Sequence, residues 1–275
     1  MARKIDIEKG RYWDEAWSLV DGCTPCSPGC DHCWSAAMAY RFRDGFTLPW
    51  NGKFNGHIVS HSDRFSIPLR RRKPTVFAVW NDLFHDDVPS DFIKRAYGVM
   101  FDRHDHTYLV LTKRPQIMKT FFDQHFMDSG NIWHGLTVCN QEEADAKIPV
   151  FLQVPGKKFL SIEPMLGPID ISKRGMGLQC ESCVDRRVHW CVDGVIDAVI
   201  LGGETGPGAR PMHPDWVRSV RDQCAAAGVP FFFKSWGAWR GAAYFDKENN
   251  MVPGSHMIGR LLDGRTHDDL PWVKP

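Results

Sequence analysis

No stretch of the 275 residues is apolar for long enough to cross a membrane. Runs such as Val229–Phe233 stop far short of the ~20 residues that a span requires. Neither sign of charge is in excess: 34 Lys and Arg stand against 33 Asp and Glu, a formal net charge of +1. That balance gives no bulk attraction to nucleic acid or to an anionic membrane, and leaves any such binding to a local patch. The opening residues, Met1 to Asp6, have no apolar run behind them, so they do not read as a signal peptide. Internal repeats and low-complexity segments are absent. The expectation is a soluble, cytoplasmic chain. Its nine cysteines are an odd number, and in a reducing compartment they read as metal ligands or core residues rather than disulfides.

What is present is a globular composition, 43% hydrophobic and 24% charged. Short apolar segments recur along the chain and read as buried strands. They lie near Ala16–Val20, His57–Ser60, Thr75–Trp80, Thr107–Leu111, Ile132–Val138, Lys158–Ile162, Ala198–Leu201 and Pro230–Phe233. Helical signals fall between them at Phe92–Phe101, Gln141–Val154 and Trp216–Ala227, the last closed by Gly228. Strands alternating with helices imply a parallel sheet. About eight such units in this length predict a single (β/α)8-like, TIM-type barrel over 1–275, complete or nearly so. Polar residues follow the apolar runs directly: Ser60–Asp63, Asn81-Asp82, Thr112–Arg114, Cys139-Asn140, Glu163-Pro164, Gly202–Thr205 and Lys234–Trp236. In a parallel barrel these positions gather on one face, where barrel active sites lie.

The densest chemical signal is Gly22-Cys23-Thr24-Pro25-Cys26-Ser27-Pro28-Gly29-Cys30-Asp31-His32-Cys33-Trp34. Thiolates are soft ligands that suit iron–sulfur clusters and zinc. Pro25, Pro28 and Gly29 make the segment a loop able to wrap a small centre. Structural zinc sites usually separate two CxxC units by a longer stretch than the one here, so the close packing suits a compact cluster better. Zinc stays open as the alternative. A second group, Cys180, Cys183, His189 and Cys191, has zinc-ligand types and sits in an insertion-like segment near 172–196. It is a candidate for zinc or an auxiliary cluster.

The three-cysteine loop with Ser27-Pro28-Gly29 inside it resembles the motif of a phage-associated, radical-SAM-like protein family. Asn81-Asp82-Leu83-Phe84-His85, Leu111–Pro115, Ser161–Ile169, Gly202–Met212, Phe232–Gly237 and Gly259–Arg265 extend the resemblance over nearly the whole chain. The resemblance implies a radical S-adenosylmethionine (SAM) enzyme. Cys23, Cys30 and Cys33 would hold a [4Fe–4S] cluster with one open iron for SAM. An electron donor would start the cleavage of SAM to a radical that abstracts hydrogen from a substrate. A nucleotide or nucleic-acid base is the substrate that phage association suggests. Two departures stand out. Six residues separate the first two motif cysteines where three are common, and Cys26 offers a fourth thiolate that could close the open iron. With four ligands the chain would instead be a non-catalytic iron–sulfur or zinc protein serving a partner protein or nucleic acid.

The remaining candidates sit at strand ends. Glu163, Lys234 and Asp82 are candidate catalytic residues. Gly202, Gly203 and Glu204 form a Gly-Gly-Glu segment of the kind that meets SAM's methionine end, and Lys113 and Arg210 could hold SAM's carboxylate or an anionic substrate. Arg114 belongs to the same set of rim cations. Arg70, Arg71, Arg72 and Lys73 form the one dense basic run, and read as a solvated loop before Pro74.

Overall fold

The computed structural model describes residues 6–41, 53–125, 127–172, 194–238, 244–245, 251–252 and 259–273. The strands are β1 (Glu15–Ala16), β2 (Val20–Gly22), β3 (Ile58–Ser60), β4 (Val76–Val79), β5 (Thr107–Thr112), β6 (Ile132–Thr137), β7 (Lys157–Ile162), β8 (Ala198–Gly202), β9 (Phe231–Ser235), β10 (Tyr244–Phe245) and β11 (Met251–Val252). The helices are α1 (Trp34–Arg41), α2 (Ser66–Arg70), α3 (Ser90–Asp102), α4 (Pro115–Gln124), α5 (Gln141–Phe151) and α6 (Pro214–Ala227). The principal sheet runs β1-β4-β5-β6-β7-β8-β9, every neighbouring pair parallel.

The expected α/β architecture is therefore present, but as a curled, open half-barrel of seven strands. The segment expected as the second strand leaves the sheet. Ile58–Ser60 pairs antiparallel with Val20–Gly22 in a separate ribbon, and the expected first strand is split between that ribbon and the two residues of β1. Half-buried residues explain the departure: Ile58, Val59 and Ser60 are each partly or fully exposed, whereas all four residues of β4 are buried. A strand buried on both faces must be apolar on both.

Alternation along the strands sorts the core into two layers. One face meets the helices: Tyr108, Leu136, Leu160, Leu201 and Phe233 pack with Tyr97, Met118, Phe151 and Val217. The concave face is filled at its lower end by Leu109, Trp133, Phe159, Ile200 and Phe232, together with Tyr12, Leu270 and Trp272. Gly135 must lack a side chain there, since a Cβ would lie 2.2 Å from the Phe159 ring. Described segments near the two ends of the chain, around residues 7–12 and 260–272, occupy the side of the sheet left open. Trp272 Nε1 donates to Tyr12 O at 2.9 Å, Arg260 Nη1 donates to Ile7 O at 2.5 Å, and Asp268 bridges Phe232 on the free edge of β9.

Helix ends follow their local signals. Asn140 caps α5 by accepting from Glu143 N, His213 caps α6, and Gly228 closes α6 in the left-handed region at φ 67°. No described helix is long and apolar enough to cross a membrane. The basic run of Arg70 to Lys73 precedes β4, at the end of the sheet away from the strand C-termini. It borders a hollow with Asp14 and Glu15, and Arg71 pairs with Glu15.

His134, within β6, is buried between Tyr97 and Phe122, and its Nδ1 donates to Pro155 O at 2.9 Å. Burial holds its pKa down at about 3. Its folded value lies below the unfolded one, so the folded state resists the proton that the unfolded state accepts. Stability is expected to fall as pH drops below the unfolded histidine value, by up to about 1.4 kcal/mol per pH unit. Urea unfolding between pH 7 and pH 5 should show this slope, reduced in His134→Phe; equal slopes would refute it.

Candidate functional site

Residues of the concave face that follow the apolar layer line an open cleft at the strand C-terminal ends. Leu111, Thr137, Ser161 and Lys234 rise from β5, β6, β7 and β9, and Glu163 follows the end of β7. Cys23, Cys30, Cys33 and Trp34 form one wall, with Phe54, Trp80, Asn81, Asp82, Lys113, Gly203 and Glu204 around them. The structure thus brings together nine expected positions: Cys23, Cys30, Cys33, Asp82, Lys113, Glu163, Gly203, Glu204 and Lys234. Ser60–Asp63 lies apart, as the separate pairing of β3 requires. Cys180, Cys183, His189 and Cys191 lie outside the described residues.

The cysteine loop is seated by the ends of successive strands. After β5, Arg114 donates from Nη2 to Thr24 O at 2.7 Å, from Nη1 to Asp82 Oδ2 at 2.7 Å, and from Nε to Asp86 at 3.1 Å. Burial is the largest influence and works against the Arg114 charge, but Asp82 together with the Cys26 and Cys23 thiols outweighs it and holds the guanidinium above its ordinary pKa. After β4, His85 Nδ1 accepts from Asp87 N, which leaves the Nε2 proton for Thr24 Oγ1 at 2.8 Å. After β6 and β7, Gly29 fits against Cys139 and Pro164, where a Cβ would meet Cys139 Sγ at 2.5 Å. After β8, Glu204 accepts from His32 Nδ1 at 2.9 Å and from Arg210, whose Nη2 also reaches Pro28 O at 2.8 Å.

These contacts redistribute roles among the expected residues. Asp82 spends both oxygens inside the protein, accepting from Thr112 Oγ1 at 2.5 Å, Lys113 N at 3.2 Å and Arg114. It and Asn81 hold positive φ, 37° and 60°, a conformation that non-glycine residues keep only when the surroundings fix it. Asp82 is an anchor of the loop collar. Glu204 and Arg210 likewise clasp the cysteine loop. Gly203 is required by packing, since a Cβ would lie 2.3 Å from Trp236 O, and Gly202 does not line the cleft.

The cysteines differ among themselves. A hydrogen bond from the Cys26 thiol, with the Lys113 charge nearby, draws the Cys30 thiol well below its ordinary pKa. A thiol of that kind is a ready metal ligand. The same bond raises Cys26, which is exposed and does not line the cleft. Lys113 loses charge stability to burial, yet Cys30, Cys139, Cys33 and Asp82 more than restore it and raise its pKa. Cys23 and Cys33 pack against Ala36 and Phe54. Among the described residues, no three His, Cys, Asp or Glu side chains are grouped to hold a single metal ion.

At the floor, Lys234 Nζ donates to Glu163 Oε2 at 2.7 Å. Glu163 Oε1 is buried without a partner, and so is Thr137 Oγ1. Sequence reading identified Glu163 and Lys234 but missed Thr137, Ser161 and Tyr12 as cleft residues. For Thr137 and Ser161 the signal was the two-residue alternation that continues the Trp133 and Phe159 face upward; Tyr12, outside any strand, gave none.

A family model described as "Protein of unknown function (DUF5131)" matches residues 8–271. Neither the search of curated proteins nor that of solved structures returns a match.

Proposed function

The chain belongs to the DUF5131 family of proteins of unknown function, and from its cleft we propose that it is an iron–sulfur enzyme of radical SAM type. The observation that carries the reading is the shared cleft: Cys23, Cys30 and Cys33 line one wall of the hollow whose floor carries Glu163 and Lys234. The donor set suits a [4Fe–4S] cluster. It comprises three thiols, one of them strongly acidified, the Lys113 cation beside them, and the aromatic rings of Phe54, Trp34 and Trp80. When bound, the cluster and SAM together would supply hydrogen abstraction by a carbon-centred radical. An external donor would supply the electron.

The chain's own residues do the rest. Lys113 offers its ammonium to an anionic group beside the cysteines. Glu163 and Lys234 face the substrate from the floor. Asp82, Arg114, Glu204 and Arg210 keep the cysteine loop over the cleft. The seven-stranded sheet is read as a radical-SAM-type partial barrel, its open side filled by the terminal segments. A nucleotide or a nucleic-acid base is the proposed substrate class.

One observation favours a second reading. The Cys26 thiol reaches Cys30, so it could complete a four-cysteine site for an iron–sulfur cluster or zinc without catalysis. Low-temperature electron paramagnetic resonance on anaerobically reconstituted, dithionite-reduced protein separates the two. A cluster signal that shifts on adding SAM is the expected result. A signal indifferent to SAM, or zinc in place of iron, would sink the radical SAM reading.

A further inference from the structure

The floor of the cleft holds two buried polar atoms that the protein leaves without partners. Glu163 Oε1 is one and Thr137 Oγ1 is the other. Thr137 is 1% exposed and lines the cleft, as does Ser161, its register partner on β7. A buried carboxylate oxygen without a donor is costly, and native structures nearly always satisfy such groups. Both residues line the cleft, where a ligand can supply the donor that the protein does not.

The order of the groups says which ligand. Lys234 Nζ is a donor, hydrogen-bonded to Glu163 Oε2, and Oε1 lies beyond it. From Lys234 to Glu163 the floor therefore presents donor, acceptor, acceptor. Its complement is an edge that reads acceptor, N–H, N–H. A 2-amino-4-oxopyrimidine ring has that edge in a single plane: a carbonyl oxygen, a ring N–H and an exocyclic amino group. Guanine and pterin share it. Adenine and cytosine begin with an amino group where an acceptor is needed, and uracil and hypoxanthine lack the second N–H. Above the floor, the half-exposed Trp80 presents an indole to the cleft, a surface on which a planar heterocycle can stack.

We propose that Glu163 and Lys234 bind the 2-amino-4-oxopyrimidine edge of a guanine- or pterin-type substrate, with Thr137 completing the subsite. The inference rests on the radical SAM reading for what happens to the substrate, but not for its binding.

The test is equilibrium dialysis of the reconstituted protein, in the presence of SAM, against guanosine, pterin, inosine and adenosine. Guanosine or pterin should bind about tenfold or more tightly than inosine, which lacks only the 2-amino group. Guanosine alone, or pterin alone, identifies the source of the ring. Glu163→Gln, with one acceptor in place of two, should erase the preference for guanosine over inosine, and Thr137→Val should weaken binding while keeping it. Equal binding of guanosine and inosine, or no binding of guanosine and pterin at millimolar concentration, overturns the proposal. The paramagnetic signal is recorded on the same samples. A shift with SAM but no base selectivity defeats this inference alone; selectivity without a response to SAM defeats the radical SAM reading alone.

Discussion

Cys30→Ser is expected to leave the reconstituted protein with background iron, whereas Cys26→Ala is expected to keep its iron content and its response to SAM. The contrast follows from where each thiol sits. Cys30 ends the single 3-10 turn Pro28–Cys30, and that turn is fixed on three sides. Gly29 is pressed onto Cys139 and Pro164, Ser27 Oγ accepts from Gly29 N at 3.1 Å, and Arg210 holds Pro28 O. A ligand delivered by so constrained a backbone cannot be replaced by a neighbour without moving the turn. Cys23 and Cys33 should behave as Cys30 does. Cys26 is exposed and off the cleft wall, so its loss removes the hydrogen bond to Cys30 and no ligand. The measurement is iron and sulfide analysis after anaerobic reconstitution, followed by the paramagnetic spectrum with and without SAM. Loss of iron in Cys26→Ala to the level of Cys30→Ser would establish four-cysteine ligation and favour the non-catalytic alternative.

The fold was legible where apolar runs are buried on both faces. Val76–Val79, Ile132–Thr137 and Ala198–Gly202 are buried throughout, and the sequence reading placed all three. It failed at the start of the chain, where Ile58 and Val59 are as apolar as true sheet residues but are spent on an antiparallel ribbon. Hydrophobicity alone does not say which partner a short strand finds. The cleft was legible as the set of polar residues after each strand, because parallel strands bring their C-terminal ends together. Their division of labour was not. Glu163 and Asp82 are both carboxylates at strand ends, yet Asp82 is saturated by Thr112, Lys113 and Arg114 while Glu163 keeps a free oxygen. That difference depends on contacts between residues about thirty positions apart, which spacing does not reveal.

The collar makes a second strong expectation. Arg114→Met should destabilise the metal-free protein by about 3–5 kcal/mol, since it strands the buried Asp82 carboxylate without its cation. Both side chains of the pair are under 10% exposed, so solvent screens little of the loss. The remaining donors, Thr112 Oγ1 and Lys113 N, satisfy hydrogen bonds, and the charge compensation left to Asp82 is then the Lys113 ammonium, which makes no direct ion pair with it. Removing the charge as well should return part of the stability. Asp82→Asn combined with Arg114→Met is expected to be less damaging than the sum of the two single changes, because the second change removes the group that the first one stranded. The guanidinium also donates to Thr24 O, next to Cys23, so every variant lacking Arg114 should reconstitute less iron than the parent, even where stability is recovered. Urea unfolding of the four proteins in the cycle, with iron analysis of each, reads both effects. Additive stabilities would mean that Asp82 and Arg114 act independently; normal iron in Arg114→Met would mean that the cysteine loop needs no hold from β5.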